Sequence, residues 1–304
     1  MQEFNDVTVN RNYKDSLFRF IFKGNNERSR RWLLSLYNAL RGSNYEDTNQ
    51  LEITTLEDVI YISVKNDISF LINDEMYLFE HQSTVNPNMP VRGLLYFSKL
   101  YENFITNKKL NIYGGKLIKI PTPKYIVFYN GQNKLPDLFQ YHLSDAFLTP
   151  DDSNNFQWTA TVININKNHS QELQKTCKAL YDYSEFIARI RQNMEGEKPL
   201  TFQDAVNEAM DYAIAHNFLD GFFREEKAKI MNSILTQFDK ETYEKAIRNE
   251  GFEEGISIGS SQKTIEAAKS FYANGVSIEI IAKSLKMTEE QVQKIISEKA
   301  QGKA

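Results

Sequence analysis

Residues Lys65 to Ser83 read KNDISFLINDEMYLFEHQS, and this stretch constrains the fold more than any other. Two apolar, aromatic-rich runs, DISFL and MYLFEHQ, flank INDE, which predicts a β-hairpin turning at Asn73-Asp74. A turn centred there sets Asp67 directly across from Glu80, with Cβ atoms roughly 4.5–5.5 Å apart. Strand side chains alternate, so Asp67, Ser69 and Leu71 share a face with Leu78, Glu80 and Gln82. Ile68, Phe70, Ile72, Tyr77, Phe79 and His81 take the other face and predict core. Opposed carboxylates repel across a sheet. A divalent cation between them removes that penalty, and hard ions such as Mg²⁺ take one or two protein carboxylates and complete their shell with water and phosphate oxygens. The same residues also fit a hairpin whose polar face is simply wet, since a one-residue slip exchanges the faces.

The 304 residues are enough for two or three domains and a sizeable core. One cysteine, Cys177, excludes an internal disulfide framework and suits a reducing cytoplasm. No apolar run has the length of a membrane span, and the first residues, MQEFNDVTVNRNYKDS, carry no signal-peptide core. Four scattered histidines argue against zinc. A net charge of −4 argues against a chain that coats nucleic acid nonspecifically. Locally the balance reverses: from Asn103 to Pro136 there is no Asp or Glu, while Lys108, Lys109, Lys116, Lys119, Lys124 and Lys134 alternate with Tyr113, Tyr125, Phe128 and Tyr129. Those lysines suit phosphate contacts, although a sheet edge protected by Lys is the commoner reason for such a run.

NYKDSLFRFIFKGNNERSRRWLLSLYNAL predicts two helices broken at Gly24-Asn25-Asn26, and LEITTLEDVIYISV with the hairpin predicts strands. NMPVRGLLYFSKLYENFI is a predicted helix with Pro90 in its first turn, and KYIVFYNG and WTATVINI are predicted strands. Up to about Asn166 the pattern is that of an α/β domain with a mixed sheet. Residues 167–249 read as amphipathic helices whose apolar stripes predict core. From residue 250 onward, Gly251, Gly255 and Gly259 recur every fourth position, a smooth helix ridge for self-association or a hinge. NGVSIEIIAKSLKMTEEQVQKIISE then has a helix-turn-helix layout, with Ile280, Ile281 and Leu285 lining the first helix, Thr288 and Gln291 as a capping box, and Val292, Ile295 and Ile296 lining the second. Seven Lys against five Glu beyond Ser260 suit a DNA contact or a small helical interaction module.

Taken together, YKDSLFRFIF, NDISFLINDEMYLFEHQS, NPNMPVRGLLYFSKLY and IPTPKYIVFYNG resemble the bacterial Rpn family of recombination-promoting nucleases and transposase-like proteins, within the PD-(D/E)XK nuclease superfamily. The resemblance implies a restriction-endonuclease-like core at residues 1–166, a mixed central sheet flanked by helices. A helical region at 167–249 and a C-terminal module at 250–304 would follow. It also implies a Mg²⁺-dependent DNA endonuclease of the bacterial cytoplasm, with Mn²⁺ as a substitute, working in recombination, mobile elements or defence. Asp67, Glu80 and Gln82 match the catalytic positions, Gln82 standing where the superfamily has Lys. In that reading Asp67 and Glu80 hold the metal and Gln82 orients the attacking water. Lys65 or Lys99 restores the missing cation.

Asp15 matches a helical acid near the metal, a third ligand, although a first-turn acid also complements the helix dipole. Arg92, Tyr96 and Lys99 share one stripe of the helix after the hairpin. With Lys65 they would meet DNA, although Arg92 and Tyr96 would equally support the residues that hold the metal, or Arg92 would pair with an acid of the core. Two rivals stand beside the nuclease: a catalytically silent DNA-binding protein of the same fold, and an oligomeric scaffold or regulatory protein built on the glycine ridge and the helical middle, with homo-oligomers forming through the C-terminal region.

Overall fold

The computed structural model describes residues 12–55, 67–150, 156–195, 198–235 and 265–297 apart from 286, with residues 153 and 263 between them. Most of the strand expected over 51–64, Lys65 and the three spaced glycines lie outside these. The chain divides into two compact units, Met1–Phe238 and Asp239–Ala304.

In the first unit, Asn12–Phe22 (α1) and Glu27–Arg41 (α2) break where the sequence predicts. Asn26 caps α2 reciprocally with Ser29, each side chain accepting from the other's backbone N–H, and Gly42 closes α2 in the left-handed conformation. A short strand, Glu52–Ile53 (β1), leads to Ile68–Ile72 (β2) and Glu75–Gln82 (β3). Asn73 and Asp74 take φ of 50° and 58°, the positive pair a type I′ turn requires. Ile68 faces Phe79 and Ile72 faces Glu75, so the hairpin forms in the predicted register.

A parallel neighbour for β3 requires a long crossover. Met89–Asn107 (α3), with Pro90 at its start, supplies it and delivers Thr122–Tyr129 (β4) alongside β3, Glu80 level with Val127. Leu138–His142 (β5) and Thr159–Asn164 (β6) complete a mixed six-stranded sheet in the order β1-β2-β3-β4-β6-β5. The sequence did not suggest β5: LFQYH is short and half-exposed at the sheet edge, with no apolar alternation.

The two faces of the sheet are both covered. Ile68, Phe70, Tyr77, Phe79 and Phe128 pack under α1, α2 and the helices that follow the sheet, Lys178–Met194 (in which Tyr183 and Phe186 are buried) and Phe202–Ala215. One core therefore runs through residue 166, where the sequence suggested a boundary. On the other face α3 lays Tyr96, Phe97 and Leu100 over Leu78, Tyr125 and Val127. This contact excludes the wet-faced hairpin, because Ser69, Leu78 and Glu80 are all buried. Gly93 permits the close approach: a Cβ there would sit 2.4 Å from Tyr125 Cε1 and 2.8 Å from Trp158 Nε1. Gly93→Val is expected to lose about 1–3 kcal/mol through forced displacement of α3, readable by urea unfolding.

In the second unit, Ile278–Leu285 and Glu289–Ser297 form the expected pair of helices, and Thr288 and Gln291 exchange hydrogen bonds of 2.9 and 3.2 Å as a capping box. Its small core gathers Ala268, Ile281, Ala282 and Val292. Ile280 departs from expectation at 56% exposed: one position before Ile281, it lies about 100° around the helix, off the buried stripe.

Candidate metal centre

Three backbone decisions assemble the candidate site. The I′ turn sets the hairpin register, the crossover brings α3 over the Glu80 face, and the β3–β4 pairing makes the site border the carboxyl ends of parallel strands, where open α/β sheets take ligands. Asp67, immediately before β2, and Glu80 meet across the hairpin. The backbone N–H of Asp67 donates to Glu80 Oε1 at 3.0 Å, and the N–H of His81 donates to Asp67 Oδ2 at 2.8 Å. Gln82 follows, half-buried, on the Glu80 face at the end of β3.

Burial and nearby like charge dominate the electrostatics. Glu80 is 1% exposed. Burial first, and then the charge of Asp67, push its carboxyl well above the usual carboxylate range, with Arg92 acting against them. Burial also raises Asp67, opposed by the His81 N–H and reinforced by the charge of Asp15.

The counter-charges come from helices. Arg92 Nη2 donates to Glu80 Oε2 at 2.8 Å while its Nε and Nη2 both reach the Tyr96 hydroxyl, at 3.2 and 2.9 Å. Burial works against the Arg92 charge, but Glu80 and Tyr96 outweigh it and hold its pKa up. Arg19 of α1 stands 3.8 Å from Asp67 Oδ1.

The remaining expected residues divide. Asp15 sits on α1 with its Oδ1 2.5 Å from His81 Nδ1, and His81 Nε2 lies 2.8 Å from the Tyr183 hydroxyl. Asp15 is therefore near enough to raise both site carboxylates, yet its oxygen is engaged by histidine. Arg92 and Tyr96 turn inward onto Glu80, the pairing with a core acid that the sequence left open. Lys99 bonds Glu102 at 2.7 Å, one turn further along α3, and is not brought to the pair. Arg92, rather than Lys99, is the cation on Glu80.

Sequence reasoning missed Arg19, His81 and Tyr183 as neighbours. Arg19 had a signal, its i, i+4 spacing from Asp15 on one helix face. Tyr183, about a hundred residues away on an ordinary-looking helix, had none.

Donor chemistry decides whether a cation fits. Among the described residues no group of three or more His, Cys, Asp or Glu side chains is placed to hold a metal ion. That does not suit an all-protein cage. Two opposed carboxylates, both destabilised as anions, do suit a hard divalent ion that keeps most of its shell for water or phosphate. No family model, curated protein or solved structure matches the chain.

Proposed function

We propose that the chain is a metal-dependent DNA endonuclease with a restriction-endonuclease-like core, acting in the bacterial cytoplasm on recombining or mobile DNA. The observation that carries this reading is the pairing of Asp67 with the buried Glu80 across the hairpin, burial raising the cost of ionising both and the charge of Asp67 adding to that of Glu80. Asp67 and Glu80 would hold Mg²⁺ or Mn²⁺. Such an ion, when bound, supplies an acidified water and neutralises charge gathering on the phosphate. The chain does the positioning. The Asp67 and His81 N–H groups fix one oxygen of each carboxylate, and Tyr96 braces Arg92 against Glu80. The Gln82 amide is placed to orient a water by hydrogen bonding and has no basic site to take its proton.

Plasmid cleavage with Mg²⁺, with Mn²⁺ and with EDTA tests the activity, cutting being expected with either ion and absent with EDTA. A second readout needs no turnover. Groups whose pKa is raised by folding bind extra protons in the folded state, so their contribution to stability is lost as pH rises from the ordinary carboxylate range through the raised values. Metal binds the deprotonated pair, so its stabilisation grows over the same interval. At a hundredfold excess over Kd the gain is about 2.7 kcal/mol, a rise in Tm of roughly 5–10 °C for a unit of this size. The shift is expected to be larger at pH 8 than at pH 5; an equal or absent shift would remove the metal from the proposal.

The Glu80–Arg92 bond favours one second reading, a DNA-binding protein of this fold in which arginine has taken the place of the ion. Retained DNA binding with neither cleavage nor a metal-induced Tm shift would select it. The homo-oligomer proposal rests on the helical middle and on the spaced glycines, which lie outside the described residues.

A further inference from the structure

The acid-free stretch after α3 takes an unexpected form. As a sheet edge its lysines would be explained by protection from pairing, but β4 is a central strand, flanked by β3 and β6, and Lys124 on it lies 3.5 Å from Glu75. The other lysines precede the strand. Residues 108–121 contain neither helix nor strand and arch out between α3 and β4, with Lys108, Lys109, Lys116 and Lys119 all exposed. None of the four forms an ion pair with a carboxylate among the described residues. Glu52 and Asp74 line the same hollow as Lys108 and Lys119 without an ion pair to either. At the tip Tyr113 is 94% exposed and Leu117 78% exposed, unusual for side chains of this size. An Asn111 turn, its Oδ1 accepting from the Tyr113 N–H at 3.0 Å, sets the tyrosine ahead of Gly114-Gly115. Four positive charges with no carboxylate partner among the described residues, on a chain of net charge −4, mark this arch as a surface for a polyanion.

We propose that the 108–121 arch grips a single-stranded segment of nucleic acid, Tyr113 stacking on a base and the lysines contacting successive phosphates. An exposed aromatic ring among lysines is the arrangement that holds unpaired bases, because every base offers a π-face. An acidic protein would explain the lysines and leave the ring without a role. The proposal rests on the nucleic-acid substrate of the nuclease reading and adds a second contact to it. Glu75, where β4 enters beside β3, lies five residues from Glu80, about 17 Å along the strand. A strand held by the arch would thus be fixed several nucleotides from the candidate metal centre.

The test is equilibrium binding of the full chain to a fluorescent single-stranded oligonucleotide, DNA and RNA in separate arms, in EDTA across a salt series. Tyr113→Ala is expected to weaken binding about 5- to 150-fold, the loss of one base stack. The quadruple Lys→Gln variant at 108, 109, 116 and 119 is expected to flatten the slope of log K against log salt by up to about 2.8, at about 0.7 per phosphate contact. Unchanged Tm in both variants, in a segment outside the regular elements, keeps the comparison clean. Unchanged affinity and slope would overturn the proposal, as would displacement of the oligonucleotide by polyglutamate at matched charge. Arch-dependent binding without any plasmid cleavage would sink the nuclease reading and leave this one standing; cleavage with arch-independent binding would do the reverse.

Discussion

Replacing Asp67 by Asn is expected to leave the fold intact and to reduce metal-dependent plasmid cleavage by on the order of 10²–10³-fold, the loss typical when one preorganised charge-stabilising group is removed from a reaction centre. Asparagine keeps an oxygen for the His81 N–H, and Asp67's own N–H still reaches Glu80 Oε1, so the hairpin retains its hydrogen bonds. What disappears is one of two anionic donors. The same change is expected to relieve Glu80, since the charge of Asp67 is the second cause of its raised pKa. Asp67→Asn should therefore be at least as stable as the wild-type chain at pH 8 in EDTA while losing the Mg²⁺-induced rise in Tm. Cleavage that survives with its metal dependence would move the active site elsewhere. Loss of cleavage together with a collapse in Tm would show instead that Asp67 serves the fold.

This site was legible where local chemistry decides geometry. Asn73-Asp74 selects the I′ turn, the turn selects the register, and the register alone sets Asp67 against Glu80. Pro90 and the Thr288/Gln291 box marked helix starts for the same reason, each acting within one turn of chain. What stayed hidden depends on contacts distant in sequence. Nothing near Glu80 announces that α3 will bury its face, because the close approach is set by a missing side chain at Gly93 against Tyr125 and Trp158. His81 reads as an apolar-face residue, and only the packing of α1 and Lys178–Met194 turns it into the link between Asp15 and Tyr183. The lysine-rich stretch misled in the other direction. Its composition suited a sheet edge, yet the strand it leads into is central, and the charges belong to the arch before it.

Arg92→Met is expected to be the most destabilising single change at the site in EDTA, and the most instructive. Breaking a buried ion pair costs about 3–5 kcal/mol when the remaining charge is enclosed. Glu80 is enclosed, but Arg92 has 34% of its side chain in solvent, so the low end of that range applies. Without Arg92 the Glu80 carboxyl rises further, and protonation then removes the unpaired charge; the loss is therefore largest near pH 8 and shrinks toward pH 5. The decisive comparison adds Mg²⁺. If Asp67 and Glu80 form a metal centre, a divalent ion replaces the missing positive charge, and Mg²⁺ should raise the Tm of Arg92→Met more than that of the wild type, because the ion no longer competes with arginine for Glu80 Oε2. If the arginine has permanently taken the ion's place, the variant stays destabilised at every Mg²⁺ concentration. The Glu80–Arg92 bond is thus the contact on which the hydrolytic and the silent readings part, and thermal unfolding of Arg92→Met and the wild type with and without Mg²⁺ separates them without any assay of cleavage.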